Sequence, residues 1–196
     1  MPVTGVLRFG AICGVILALS IGIPGVIEIF IGETTLTSFV IGLGAVCGAP
    51  VVTAFHLHQG AAAGRLGGVA YIVNTIGLSL FGGLAFALNL VVFFLPAPVT
   101  KSLLAGPTGI AQLVSVATFV IGTGLYSASM LRAKVFPRLP SAGYGISLIL
   151  LAVFAALPDT PLTGLVHVLA AGSLIWLSMS LLRAPAPRSA PVLGGR

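Results

Sequence analysis

The chain has 196 residues, 58% of them hydrophobic and 6% charged, with a mean hydropathy of +1.19. A soluble domain carries about a quarter charged residues, so these side chains cannot clothe a water-soluble globule. The formal net charge of +6 sits at the ends of apolar runs, where anionic lipid headgroups would meet it. The composition therefore names the lipid bilayer as partner and sets nucleic acid aside.

In hydrocarbon every backbone N–H and C=O must be bonded internally, so only helices or a closed barrel can span. The apolar runs approach or exceed the roughly 18 to 20 residues of a spanning helix and show no strand alternation. The predicted fold class is all-α: a polytopic transmembrane helical bundle over residues 1–183, with six spans at 6–31, 37–57, 66–95, 109–131, 141–157 and 162–182. No A-x-A-like cleavage site follows the first run, so it is expected to stay as a helix. The breakers GETT, HQGAAAGR, PAPVTKSLLAGP, AKVFPRLP and PDTP divide the spans in turn. Residues 184–196, Pro-rich and basic, read as a disordered cytoplasmic tail.

Short loops rich in Lys and Arg stay cytoplasmic. An N-in/C-in topology places Arg8, Arg65, Arg132, Lys134, Arg138, Arg183, Arg188 and Arg196 inside, eight of nine basic residues, and leaves Lys101 outside. Glu28, Glu33 and Asp159 then fall at or near the outer face. SASMLRA at 127–133 and SMSLLRA at 178–184 share S-x-S-x-L-R-A, and RFGA, RLGG and RLPSAG open the odd-numbered helices. These echoes point to three repeated helical hairpins of one hand, against the plainer reading that inward helix ends tend to finish in Leu-Arg.

Ionisable groups inside a span are functional candidates by default. Glu28 lies one turn beyond Pro24, His167 five residues inside the sixth span, and Asn89 and Gln112 at similar depths in the third and fourth. If the four face one another, they form an outward-facing ligand pocket; the competing reading hydrates each separately at the headgroups. His56 and His58 stand two apart on a helix and point to nearly opposite sides, so they do not chelate one ion. Asn74, with Tyr71, suits interhelical hydrogen bonding. The third span has 30 residues, about 45 Å at helical rise, so it either tilts or breaks at Gly82 and Gly83.

The two cysteines lie in matching strings, GAICG at 10–14 and GAVCG at 44–48. Gly10, Gly14 and Gly22 in the first helix and Gly44 and Gly48 in the second make small-residue faces that let helices approach closely and are expected to mark where these two helices touch. Cys13 and Cys47 then read as packing residues, without a disulfide framework or zinc signature.

No motif supports an enzyme, so no catalytic residue, metal or cofactor is predicted. The best reading is a small transporter or permease-like protein for an unidentified small molecule. The alternative is a non-catalytic scaffold or accessory subunit, with a second copy or another membrane protein as candidate partner. An enzyme acting on a lipid or quinone has the least support.

Leu131, Arg132, Pro137 and Arg138, within SASMLRAKVFPRLPSAGYG, resemble a pattern in poorly characterised bacterial multi-pass membrane proteins. There a helix ends in Leu-Arg, a short loop carries Pro-Arg, and a Gly-containing helix follows. The resemblance implies a bacterial plasma-membrane protein of about six helices and supplies no activity.

Overall fold

The computed structural model describes residues 3–155 and 160–183. Asp159 and the expected tail at 184–196 lie outside the described residues. Every element among the described residues is helical: α1 (Val3–Ile31), α2 (Thr35–Gly44), α3 (Gly48–Gln59), α4 (Gly64–Leu90), α5 (Ala97–Leu104), α6 (Pro107–Ala133), α7 (Arg138–Phe154) and α8 (Pro161–Arg183). Four stretches among them are long and apolar enough to cross a membrane: Val3–Ile31, Thr35–Phe94, Pro107–Ala133 and Pro161–Arg183.

The Thr35–Phe94 stretch turns back on itself. Gly42 meets Leu90, Gly48 meets Leu78 and Thr53 meets Tyr71, so α2 and α3 together run antiparallel to α4. The reversal uses Gly60 (φ +49°) and Gly64 (φ +57°), positive angles that only glycine reaches without strain. Between α2 and α3, Ala45–Cys47 tightens into a 3-10 turn. Pro50 accounts for it: the ring lacks an N–H and crowds the carbonyl four residues back, at Val46. Gly82 and Gly83 do not interrupt α4, which is continuous from Gly64 to Leu90; the break falls in the second helical segment rather than the third.

The helices close a ring in the order α2/α3, α1, α8, α7, α6, α4 and back to α2/α3. Contacts in register make the neighbours antiparallel. Gly10 meets Ala54 while Ser20 meets Gly44; Gly14 meets Ser178 while Gly25 meets His167; Gly67 meets Ser129 while Gly77 meets Phe119. Arg8, Arg65, Arg132, Lys134, Arg138 and Arg183 consequently gather at one end of the ring, and Glu28, Glu33 and Lys101 at the other.

Small residues set these approaches. A Cβ on Gly122 would stand 2.6 Å from the Asn74 Cα, and one on Gly77 would stand 2.7 Å from the Phe119 Cα, so α4 and α6 touch backbone to backbone. The glycine faces expected to pair the first two helices with each other meet several partners instead. Gly10 and Gly44 do join α1 to the second segment, but Gly14 and Gly22 face Ser178 and Ala171 of α8, and Gly48 faces Leu78 of α4. A helix surface has several sides, and spacing alone does not say which neighbour each one meets.

The distribution of polarity is the reverse of a soluble protein's. Val46, Ile72 and Trp176 are 78%, 58% and 49% exposed on the outside. Ser38, Asn74, Thr123, Ser141 and Ser178 are buried. Without a hydrophobic force between helices, such interiors cohere through close packing and interhelical hydrogen bonds.

Candidate functional site

At the acidic end, the ring encloses a cavity of about 310 Å³ whose polar lining is Glu28, Glu33, Asn89, Thr163 and His167. Its walls are otherwise apolar and include Phe81, Phe93 and Phe154. Three of the four residues singled out by depth, Glu28, Asn89 and His167, therefore meet in one space. Gln112 does not line it. The cavity is walled by α1, α2, α4, α7 and α8, and the opening turns of α6 present Ile110 and Leu113 outward, the latter 70% exposed.

Local structure fixes each side chain. Thr34 caps α2 reciprocally with Thr37: the Thr37 N–H donates to Thr34 Oγ1 at 3.2 Å and the Thr34 N–H to Thr37 Oγ1 at 2.9 Å. The cap holds Glu33 at the rim, where Ser38 donates its hydroxyl to Glu33 Oε1 at 2.7 Å. Thr160 and Thr163 repeat the device at the start of α8, at 2.9 and 3.3 Å. One turn on, His167 Nδ1 lies 2.7 Å from the Thr163 carbonyl, which can only accept, so Nδ1 carries a proton. Asn89 donates Nδ2 to the Ala85 carbonyl at 2.8 Å. Gly25 makes room for His167, because a Cβ there would collide with the His167 Cβ and Cγ.

These anchors share a chemical consequence. Asn89 commits one of its two Nδ2 hydrogens to its own helix and keeps Oδ1; Glu33 keeps Oε2; the His167 tautomer that carries its proton on Nδ1 presents Nε2 as an acceptor. The atoms left to meet a ligand are mostly acceptors, in a lining that holds two carboxylates and, among the described residues, neither Lys nor Arg.

Below this cavity lies a smaller apolar pocket of about 90 Å³, reaching Leu17, Val52, Leu148 and Leu174. Ile41, Phe81, Ala85, Leu151 and His167 line both. At its floor stands Tyr144, whose hydroxyl accepts from Asn74 Nδ2 at 3.2 Å, while Thr123 Oγ1 donates to Asn74 Oδ1 at 3.1 Å. Toward the basic end, Gln59 Nε2 donates to the Tyr126 hydroxyl, which donates to the Val52 carbonyl, each at 3.2 Å. Asn74 is thus an interhelical bonding residue. Tyr126, Tyr144, Gln59 and Thr123 had given no signal in the sequence, since their partners lie on distant helices.

His56 stacks on Tyr71 at 4.3 Å between ring centroids, and His58 tilts against Phe136 at 5.1 Å. Among the described residues no group of three His, Cys, Asp or Glu side chains could hold a metal ion. Cys13 and Cys47 are free thiols, the first buried and the second half-buried. Comparison with family models, curated proteins and solved structures finds no match to this chain.

Proposed function

We propose that the chain is a small permease-like protein of a bacterial plasma membrane, with six spans, both termini cytoplasmic, and an outward-facing site for a small organic cation. The observation that carries this reading is the cavity at the acidic end, in which two carboxylates and the acceptor atoms of Asn89 and His167 converge above an apolar throat. A primary ammonium brings three donors to these acceptors and the positive charge that such a lining lacks.

Six spans are supported by the hairpin within Thr35–Phe94 and by α7, whose 17 residues extend about 26 Å, close to a bilayer core. The gathering of arginines at one end supports the orientation.

Three hairpins of one hand are supported by the ring order, in which each hairpin contributes one even and one odd segment in the same sense. The even segments of the first and third open alike, Glu33-Thr-Thr-Leu-Thr37 and Asp159-Thr-Pro-Leu-Thr163. All three even segments close on Ser or Thr, then Leu four residues on, then Arg or His: Thr53 with Leu57 and His58, Ser127 with Leu131 and Arg132, Ser178 with Leu182 and Arg183. Each of those hydroxyl residues faces the odd helix of the next hairpin, at Tyr71, Gly145 and Gly14 respectively. Repeats of this kind, with a site between them, are a recurring transporter plan.

The scaffold reading draws on small-residue packing faces and the lack of a dense polar core; Gly14, Gly22, Gly77 and Gly122 turn their faces to neighbouring helices of the ring. Radiolabelled propylammonium and proteoliposomes test the choice. Saturable binding and uptake, each weakened about tenfold by Glu33→Gln through loss of one charged hydrogen bond, are expected. Absent binding together with uptake no faster than in protein-free vesicles would return the scaffold reading.

A further inference from the structure

We propose that the cation is a single-tailed amphiphile, and that its tail reaches the bilayer through a side opening between the second segment and α4; this rests on the cation-site reading above. Three spaces lie in series. The acidic cavity shares His167, Phe81 and Leu151 with the apolar pocket beneath it, and that pocket shares Ala45, Leu78 and Gly82 with a groove of about 520 Å³ on the outer surface of the ring. The groove's other lining includes Leu43, Val46 and Phe86, which are 54%, 78% and 47% exposed. One layer of residues therefore separates the inner pocket from the lipid-facing side.

That layer is thin for reasons visible in the chain. The 3-10 turn at Ala45–Cys47 interrupts regular helix packing at this depth. Opposite it, a Cβ on Gly82 would find its nearest neighbour, the Ala45 carbonyl oxygen, 3.8 Å away, and one on Gly83 would find nothing within 4 Å. Leu78, resting on Gly48, is the one large side chain among the three residues common to both spaces. A leucine has rotamers to exchange, and the adjacent Gly82 and Gly83, without side chains, leave room for an alkyl chain to pass.

Charge and polarity select the occupant. The inner end of the series offers carboxylates and acceptors, the middle offers hydrocarbon, and the outer end opens where lipid tails lie. An alkylammonium satisfies all three, its head at Glu33 and His167 and its tail along Leu78. An anionic amphiphile would set like charge against Glu28 and Glu33, and a short amine would leave the middle pocket unfilled.

Binding of decylammonium and propylammonium to the protein in phosphatidylcholine nanodiscs, with protein-free discs subtracted, provides the test. The wild type is expected to prefer decylammonium by about tenfold or more through burial of its methylenes. Gly82→Leu, which blocks the opening, is expected to erase that preference while propylammonium binds as before. No preference in the wild type, or a preference retained by Gly82→Leu, overturns the side opening and leaves the cation site standing. Failure of the wild type to bind either amine overturns the cation site itself. Should Gly82→Leu fail to fold, a decylammonium bearing a terminal diazirine decides on the wild type. Labelling of Leu43, Val46, Gly83 or Phe86, which line the outer groove and neither inner space, that excess propylammonium abolishes supports the opening, and labelling confined to other residues or unchanged by the competitor refutes it.

Discussion

Gly25 of α1 and His167 of α8 occupy space that admits only one β-carbon: a methyl on Gly25 would overlap the His167 Cβ and Cγ. This contact sets how deeply the imidazole reaches into the acidic cavity. Gly25→Ala is expected to displace His167, weaken propylammonium binding by about tenfold, and lower stability by about 1 to 3 kcal/mol as overpacking does. Thermal unfolding and amine titration of the variant in nanodiscs read the two effects separately.

Position around the helix, beyond depth, decides which polar residues touch the ligand. Asn89→Leu removes an acceptor from the cavity and is expected to reduce amine affinity several-fold, in keeping with about 1 kcal/mol for one hydrogen bond. Gln112→Leu is expected to leave affinity unchanged, because Gln112 does not line the cavity. Equal losses in the two variants would contradict the placement.

The glycines divide into two classes that one substitution separates. At Gly77 and Gly122 an added methyl meets backbone atoms of the neighbouring helix, at 2.7 and 2.6 Å, which cannot swing aside. Gly77→Ala and Gly122→Ala are expected to cost about 2 kcal/mol or more. Gly68 and Gly172 have nothing within 4 Å, and their alanine variants are expected to be neutral or stabilising by up to about 1 kcal/mol through helix propensity. Thermal unfolding of the four variants side by side checks the contrast.

Asn74 ties α4 to α6 and α7 through Thr123 and Tyr144. Asn74→Leu is expected to cost about 1 to 2 kcal/mol, the range of interhelical bonds in membranes, with Thr123→Val in the same background adding little. Full additivity of the two losses would show that the bond at 3.1 Å is not where the energy lies. By contrast, Cys13→Ala with Cys47→Ala is expected to leave folding within about 1 kcal/mol, since both act only as small packing side chains.

Helical spans were legible in the sequence because hydrocarbon leaves the backbone almost no alternative, and helix depth could be counted from the apolar boundaries. Depth brought Glu28, Asn89 and His167 together; it could not report that Gln112 does not line the cavity, since rotation about a helix axis depends on its neighbours. Glu33 lies in a loop outside any span, so depth says nothing of it, and the Thr34 cap and the Ser38 hydroxyl tie it to the rim. The Gln59–Tyr126 and Asn74–Tyr144 bonds join residues 67 and 70 positions apart, a pairing no local pattern encodes. Pro50 lies beside the irregularity in the second segment, whereas Gly82 and Gly83, where the third span would break unless it tilts, leave α4 continuous and thin the wall beside it.

Everything proposed for the site requires that the acidic cavity be wet and open on the outer face of the membrane. In a Cys13→Ala/Cys47→Ala background, single cysteines are placed at Leu88 in the cavity, Ile72 on the outer surface of α4, and Ala133 at the arginine end. Intact cells are then treated with a membrane-impermeant maleimide. Rapid labelling is expected at Leu88→Cys, slowed by excess propylammonium, with Ala133→Cys labelled only after permeabilisation and Ile72→Cys in neither case. Labelling at Leu88→Cys only after permeabilisation, or no faster than at Ile72→Cys, would contradict an outward-facing site.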